Sequence, residues 1–98
     1  MLTDKEILEI AYKYINEVEE DSKLDVIMVT EATLDKPYGS IFFYTSKKYY
    51  ETKDDKYSVA GNAPFLVEKK TGKIIIFGTA RPKKYYIEEY EAGRWPLK

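Results

Sequence analysis

Residues 60–91, AGNAPFLVEKKTGKIIIFGTARPKKYYIEEYE, constrain this 98-residue chain more than any other stretch. Gly61-Asn62 marks a turn, and Pro64 opens a strand running to Glu68, a position where a missing ladder N–H is tolerated. Lys69-Lys70-Thr71-Gly72 reads as a tight hairpin, with Gly72 supplying the positive φ such loops require. A second strand covers 73–77. Gly78-Thr79-Ala80-Arg81 then leads to Pro82, whose fixed φ suits the first position of a helix. Tyr86, Ile87 and Tyr90 give that short helix its buried stripe. The glycines and the two prolines of this stretch are expected to specify the fold rather than to touch a partner.

The N-terminal third predicts a longer helix. Thr3 and Glu6 have capping-box spacing, and Asp4 and Glu6 lie near the positive end of the helix dipole. Ile7, Ile10, Ala11, Tyr14, Ile15 and Val18 recur at helical spacing and should lie on a sheet, leaving Glu9, Lys13, Asn16 and Glu20 on the opposite face. Tyr12 falls between the two faces, where it either anchors an interface or lies over the sheet edge. Residues 24–33 and 40–45 read as strands joined by the turn chemistry of Asp35-Lys36-Pro37-Tyr38-Gly39. The connection 46–63 is polar except for Tyr49, Tyr50, Tyr57 and Val59, and a turn of helix is expected near 57–60. The expected architecture is a single α+β domain over 1–98. It has an N-terminal helix, a four-stranded antiparallel sheet with a long loop between strands 2 and 3, and a short C-terminal helix. Both helices are expected on one face of the sheet, and 93–98 forms a flexible tail whose anchor is Trp95.

Composition excludes more than it assigns. With no histidine and no cysteine, the common transition-metal sites lose their best ligands, and His-assisted nucleophiles are ruled out. The remaining Asp, Glu, Lys, Tyr, Ser and Thr show no organising spacing, so the chain reads as a non-enzyme with no cofactor. No apolar run approaches the length of a membrane span, and no basic-then-apolar leader opens the chain, which favours the cytoplasm. Ten tyrosines and the run Lys36-Pro37-Tyr38-Gly39 raise the question of base stacking. A pI near 5.5 and the missing second aromatic motif argue against nucleic acid. Net charge is −1, yet residues 1–35 carry ten acidic side chains against three basic ones, and the remainder carries seven against thirteen. An acidic helix is a docking surface for a basic partner, though such a charge run also serves simply to solvate a helix face.

The chain resembles the immunity protein 35 family, which includes the YrhB-like proteins, along most of its length. The marks are Phe42 and Tyr44, then Tyr49-Tyr50-Glu51-Thr52, then Gly61-Asn62-Ala63-Pro64, the Thr71-Gly72 hairpin, Gly78-Thr79-Ala80 with Pro82, and residues 86–90. Ser40 stands where a large aromatic often follows the first glycine, and Lys53 where a glycine often follows Glu-Thr. The resemblance implies a bacterial polymorphic toxin system: a non-catalytic immunity protein that binds and neutralises a cognate toxin. A chaperone-like, stress-related binding role is the alternative that the YrhB-like members imply. Specificity would then reside in exposed Glu9, Tyr12, Asn16 and Glu20 on the helix and in Tyr50, Lys53, Asp54 and Asp55 of the long loop, while Gly61, Asn62, Pro64, Gly72, Gly78, Thr79 and Pro82 form the structural motif.

Overall fold

The structure, a computed structural model, describes residues 1–22, 25–52, 63–78 and 81–96. Helix α1 spans Asp4–Ser22 and starts with the expected capping box. The Thr3 amide donates to Glu6 Oε1 at 3.0 Å and the Glu6 amide to Thr3 Oγ1 at 3.2 Å. Those bonds hold the Glu6 carboxyl below the usual carboxylate range. Strand β1 (Val26–Met28) follows, then a 3-10 turn at Thr30–Ala32, and the hairpin of β2 (Leu34–Lys36) with β3 (Gly39–Phe42). One residue later β4 (Tyr44–Ser46) begins, and it runs into the short helix α2 (Lys47–Thr52). Strands β5 (Phe65–Glu68) and β6 (Ile74–Ile76) form the second hairpin, and helix α3 covers Lys83–Glu91.

All strand pairs are antiparallel, in a four-stranded sheet ordered β2-β3-β5-β6 and a separate two-stranded pair β1-β4. The strand expected over 24–33 therefore holds only β1 and the 3-10 turn, and β2 falls largely where turn chemistry was expected, at Asp35-Lys36. The expected strand over 40–45 divides at Phe43, whose carbonyl accepts from the Val29 amide at 2.8 Å as the chain changes sheet. The long connection begins with α2, whose first turn is capped by Ser46 Oγ accepting from the Tyr49 amide. The helical turn anticipated at 57–60, together with Gly61, Asn62 and Thr79, lies outside the described residues.

The α+β class, the helices at the two ends of the chain and the antiparallel pairing are as expected, but α2 was not, and α1 and α3 do not share a face. Strand alternation sends Phe42, Phe65 and Val67 to one side and Ile41, Leu66 and Ile75 to the other. The first side packs on α1 through Ile7, Ala11 and Ile15, each 3% exposed or less, with Tyr44 and Met28 closing the layer. The second packs on α3 through Phe77 and Tyr86. The reason was written in the runs Phe65-Leu66-Val67 and Ile74-Ile75-Ile76-Phe77, which are apolar at both parities and so demand cover on both sides.

Glycine enters for two different reasons. Gly72 has φ +77° in the β5–β6 turn, as the hairpin requires, with Ile10 and Leu2 seated over it. Gly78 has no unusual φ. It is needed because a Cβ there would meet the Tyr86 hydroxyl at 2.5 Å, so its role is space and not backbone conformation. Both prolines sit one position earlier than expected: Pro64 precedes β5 instead of opening it, and Pro82 is the cap residue of α3, one position before the first helical residue. Beyond α3, Arg94 pairs with Glu89, and Trp95 packs edge-on against Tyr86 at 4.9 Å.

Candidate functional site

Glu9, Tyr12, Asn16 and Glu20 are all exposed on α1. Steps of three, four and four residues place them in one stripe, which runs about 16 Å along the helix at 1.5 Å per residue. The helix bears seven acidic residues against two basic ones. Among the described residues the ion pairs are Lys36–Glu91, Lys84–Glu88 and Arg94–Glu89, none of which engages an acid of α1. None of those pairs neutralises its negative field, although Glu6 closes the capping box and Glu19 accepts from the Val26 amide at 3.3 Å. Tyr50 lies elsewhere, on α2, half-buried, with its hydroxyl donating to Glu31 at 2.8 Å. That bond raises the pKa of the Tyr50 hydroxyl, since ionising it would place a second negative charge beside the carboxylate. Lys53, Asp54 and Asp55 lie outside the described residues.

Beside the stripe, a groove of about 280 Å³ opens between α1 and the β2–β3 hairpin. Ile7, Met28 and Phe42 form its apolar floor, and Leu8 and Tyr12 one wall. Leu8 and Tyr12 are four residues apart, hence neighbours on the helix surface, and stay 40% and 44% exposed in spite of their apolar bodies. The acids Asp4 and Asp35 complete the lining with Ser40, Thr30 and Thr33. Asp35 and Ser40 are cross-strand partners in the hairpin, and the serine hydroxyl donates to Asp35 Oδ1 at 2.9 Å. A small side chain at Ser40, between Asp35 and Phe42 on the same sheet face, keeps this end of the groove open.

Sequence reasoning selected Tyr12 and missed Leu8, Asp35 and Ser40. Their signal was present. A two-residue turn at Pro37-Tyr38 fixes the register Lys36 to Gly39, and hence Asp35 to Ser40, while parity puts Ser40 on the face of Phe42.

A second, larger recess of about 480 Å³ is lined by Pro37, Tyr38, Lys69, Lys70 and Tyr90 among others. Its polar groups serve the fold. Tyr38 donates to Glu91 at 2.7 Å and Tyr90 to Glu68 at 2.6 Å, tying α3 to the sheet. Burial first, and the adjacent Glu68 next, push the Tyr90 hydroxyl up to about 12; Tyr38 is raised further by burial and by Glu91. Both therefore stay neutral and hydrogen-bonded across the physiological range.

Among the described residues no group of three acidic side chains is placed to hold a metal ion, and no helix is long and apolar enough to cross a membrane. A chaperone-like role would call for an accessible aromatic patch, yet Tyr49, Tyr50 and Trp95 are each half-buried, with Trp95 on Tyr86 and Tyr50 bonded to Glu31. What the surface offers is a rigid, acidic helix face with an adjoining apolar groove.

Comparison with known proteins gives two matches. The immunity protein 35 family profile matches residues 5–93. An uncharacterised protein of Escherichia coli (strain K12), YrhB, is 32% identical over 81 residues, covering 83% of this chain and 84% of that protein. No solved structure matches.

Proposed function

This chain belongs to the immunity protein 35 family, and on that premise we propose that it is a non-catalytic immunity protein, neutralising a cognate bacterial toxin in the cytoplasm by stoichiometric binding. The match over residues 5–93 carries the reading, because it takes in every helix and strand described above but for the first residue of α1. Physical chemistry supports it from the other side. The chain has neither histidine nor cysteine to build a reaction centre, whereas inhibition by binding needs only a stable scaffold and a specific surface.

The surface we assign to the toxin is the α1 stripe of Glu9, Tyr12, Asn16 and Glu20. A standard interface takes about 800 Å² from each partner, a modest fraction of the 6668 Å² exposed here. The 19-residue helix, about 28 Å long, is of sufficient length to present it. An exposed tyrosine between carboxylates supplies an apolar anchor within a steering field, the combination that gives fast and specific encounter with a basic partner.

The test is co-expression with the protein encoded immediately beside this one. If that neighbour is the toxin, it arrests growth alone, this chain restores growth, and the two purify as a 1:1 complex. Glu9→Lys with Glu20→Lys should then slow association by about tenfold or more and flatten its dependence on salt, since less attraction remains to be screened. A toxic neighbour that this chain neither binds nor silences would defeat the reading.

A further inference from the structure

We propose that the groove between α1 and the β2–β3 hairpin receives a single arginine or lysine side chain from a basic segment of a partner protein. The aliphatic stem would lie on Phe42 between Leu8 and Tyr12, with the cationic head at Asp4 and Asp35. The identity of the partner as a toxin rests on the reading above; the chemistry of the groove does not.

The shape and the charge point to the same occupant. The floor is apolar, made by Ile7, Met28 and Phe42, and the acids Asp4 and Asp35 line its margin. An apolar channel bordered by carboxylates matches a side chain that is itself a hydrocarbon stem ending in a positive charge. At about 280 Å³ the groove suits one long side chain and is small for a folded element. Asp35 is already oriented, because Ser40 Oγ holds its Oδ1 at 2.9 Å and leaves Oδ2 to take a donor. No ion pair among the described residues uses Asp4 or Asp35, so an incoming cation displaces none of those partners.

Other occupants fit less well. A second copy of this chain would bring the same acidic helix, seven acids against two bases, against itself. A nucleic acid would be repelled by the same field. The basic residues Lys83, Lys84 and Arg94 of this chain sit with α3, on the opposite face of the sheet. A partner segment carrying the positive charge satisfies both the field and the floor.

The probe is the blocked peptide acetyl-Gly-Arg-Leu-Arg-Gly-amide, titrated into the full ¹⁵N-labelled chain by NMR, beside the same peptide with citrulline replacing both arginines. Citrulline keeps the stem and removes the charge. The expected result is saturable shifts centred on Leu8, Tyr12, Thr33 and Asp35, with the citrulline peptide weaker by about tenfold, the worth of one charge-assisted bond. Ser40→Leu fills the groove without changing any charge and should abolish binding, whereas Glu88→Gln, on α3 across the sheet, should leave the Kd within about twofold. Should Ser40→Leu fail to fold by circular dichroism, Asp35→Asn takes its place, with an expected loss of about fivefold. No saturable binding, shifts spread evenly along α1, or Ser40→Leu folding and binding like the parent would each overturn the proposal. Failure to neutralise a toxin with groove binding intact would refute the immunity reading alone. Rescue by a folded Ser40→Leu chain with an unchanged toxin Kd would refute the groove alone.

Discussion

The two faces of the central sheet are held by different means. Under α1, a helix of nineteen residues lays Ile7, Ala11 and Ile15 on Phe65 and Val67, and Phe65 alone has ring contacts with Tyr14, Phe42 and Tyr44 at 4.5 to 6.1 Å. Under α3, a helix of nine residues contributes one fully buried side chain, Tyr86, and is moored at its rim by Tyr38–Glu91, Tyr90–Glu68 and the Arg81 amide on the Tyr86 hydroxyl. One face relies on depth of apolar burial, the other on polar ties around a thinner core. The helix proposed to meet a partner is thus the one most firmly seated, so its exposed stripe is presented with little cost in ordering on binding.

Neighbouring residues on β5 allow that contrast to be broken. Phe65→Ala should cost about 3–5 kcal/mol, because it deletes the ring on which three others rest; Leu66→Ala, pointing to the thinner face, should cost about 2–4 kcal/mol. Chemical denaturation of both variants tests the ranking, and a larger loss at Leu66 would show that the α3 face is the main support. Next in size is Gly78→Ala. A Cβ there would meet the Tyr86 hydroxyl at 2.5 Å, and Tyr86 is too closely held by Phe77 and Trp95 to retreat. We expect a loss of about 1–3 kcal/mol and faster hydrogen exchange at α3, with α1 protected as before. Protection lost equally in both helices would show the two faces to be one cooperative unit.

The smallest expected effect sharpens the distinction by pH. The Tyr90 hydroxyl is raised to about 12 in the folded chain, so the neutral form is favoured there over the unfolded chain, where tyrosine titrates near 10. Its stabilisation is complete below about pH 10 and is lost as pH rises through 12. Tyr44, on the α1 face, is also raised to about 12, by burial and then by Tyr14, and follows the same course. Tyr90→Phe should therefore lower stability by about 1 kcal/mol at pH 7 and reduce the alkaline loss without removing it. Denaturation midpoints between pH 8 and 12 measure this, and identical slopes in parent and variant would contradict the assignment.

Local signals made much of this fold readable. Thr3 and Glu6 announce the start of α1, Gly72 the hairpin, and Pro82 the approach to α3, because each acts within a few residues of itself. Placing α3 needed tertiary information, although parity along Ile74-Ile75-Ile76-Phe77 already implied a second covered face. The break at Phe43 was not legible, since nothing local in Phe42-Phe43-Tyr44 distinguishes one strand crossing between two sheets from a single strand. For the surface the division is the same. Exposure of Glu9, Asn16 and Glu20 followed from helical period, which left Tyr12 between the faces, whereas the groove depends on a helix wall meeting a hairpin, a meeting that periodicity does not encode.

The bond from the Trp95 indole to the Ile76 carbonyl, at 3.1 Å, has a consequence for how the chain behaves in a crowd. The Phe77 amide bonds to Pro64 and the Lys73 carbonyl accepts from Glu68, which turns residues 73 and 77 toward β5 and, by alternation, the Ile76 carbonyl outward. β6 is an edge strand of three isoleucines, with Ile76 51% exposed, the kind of segment on which identical chains stack into fibrils. The tail lays the chain's only tryptophan across that seam, so a second molecule seeking to extend the sheet would first have to peel it away.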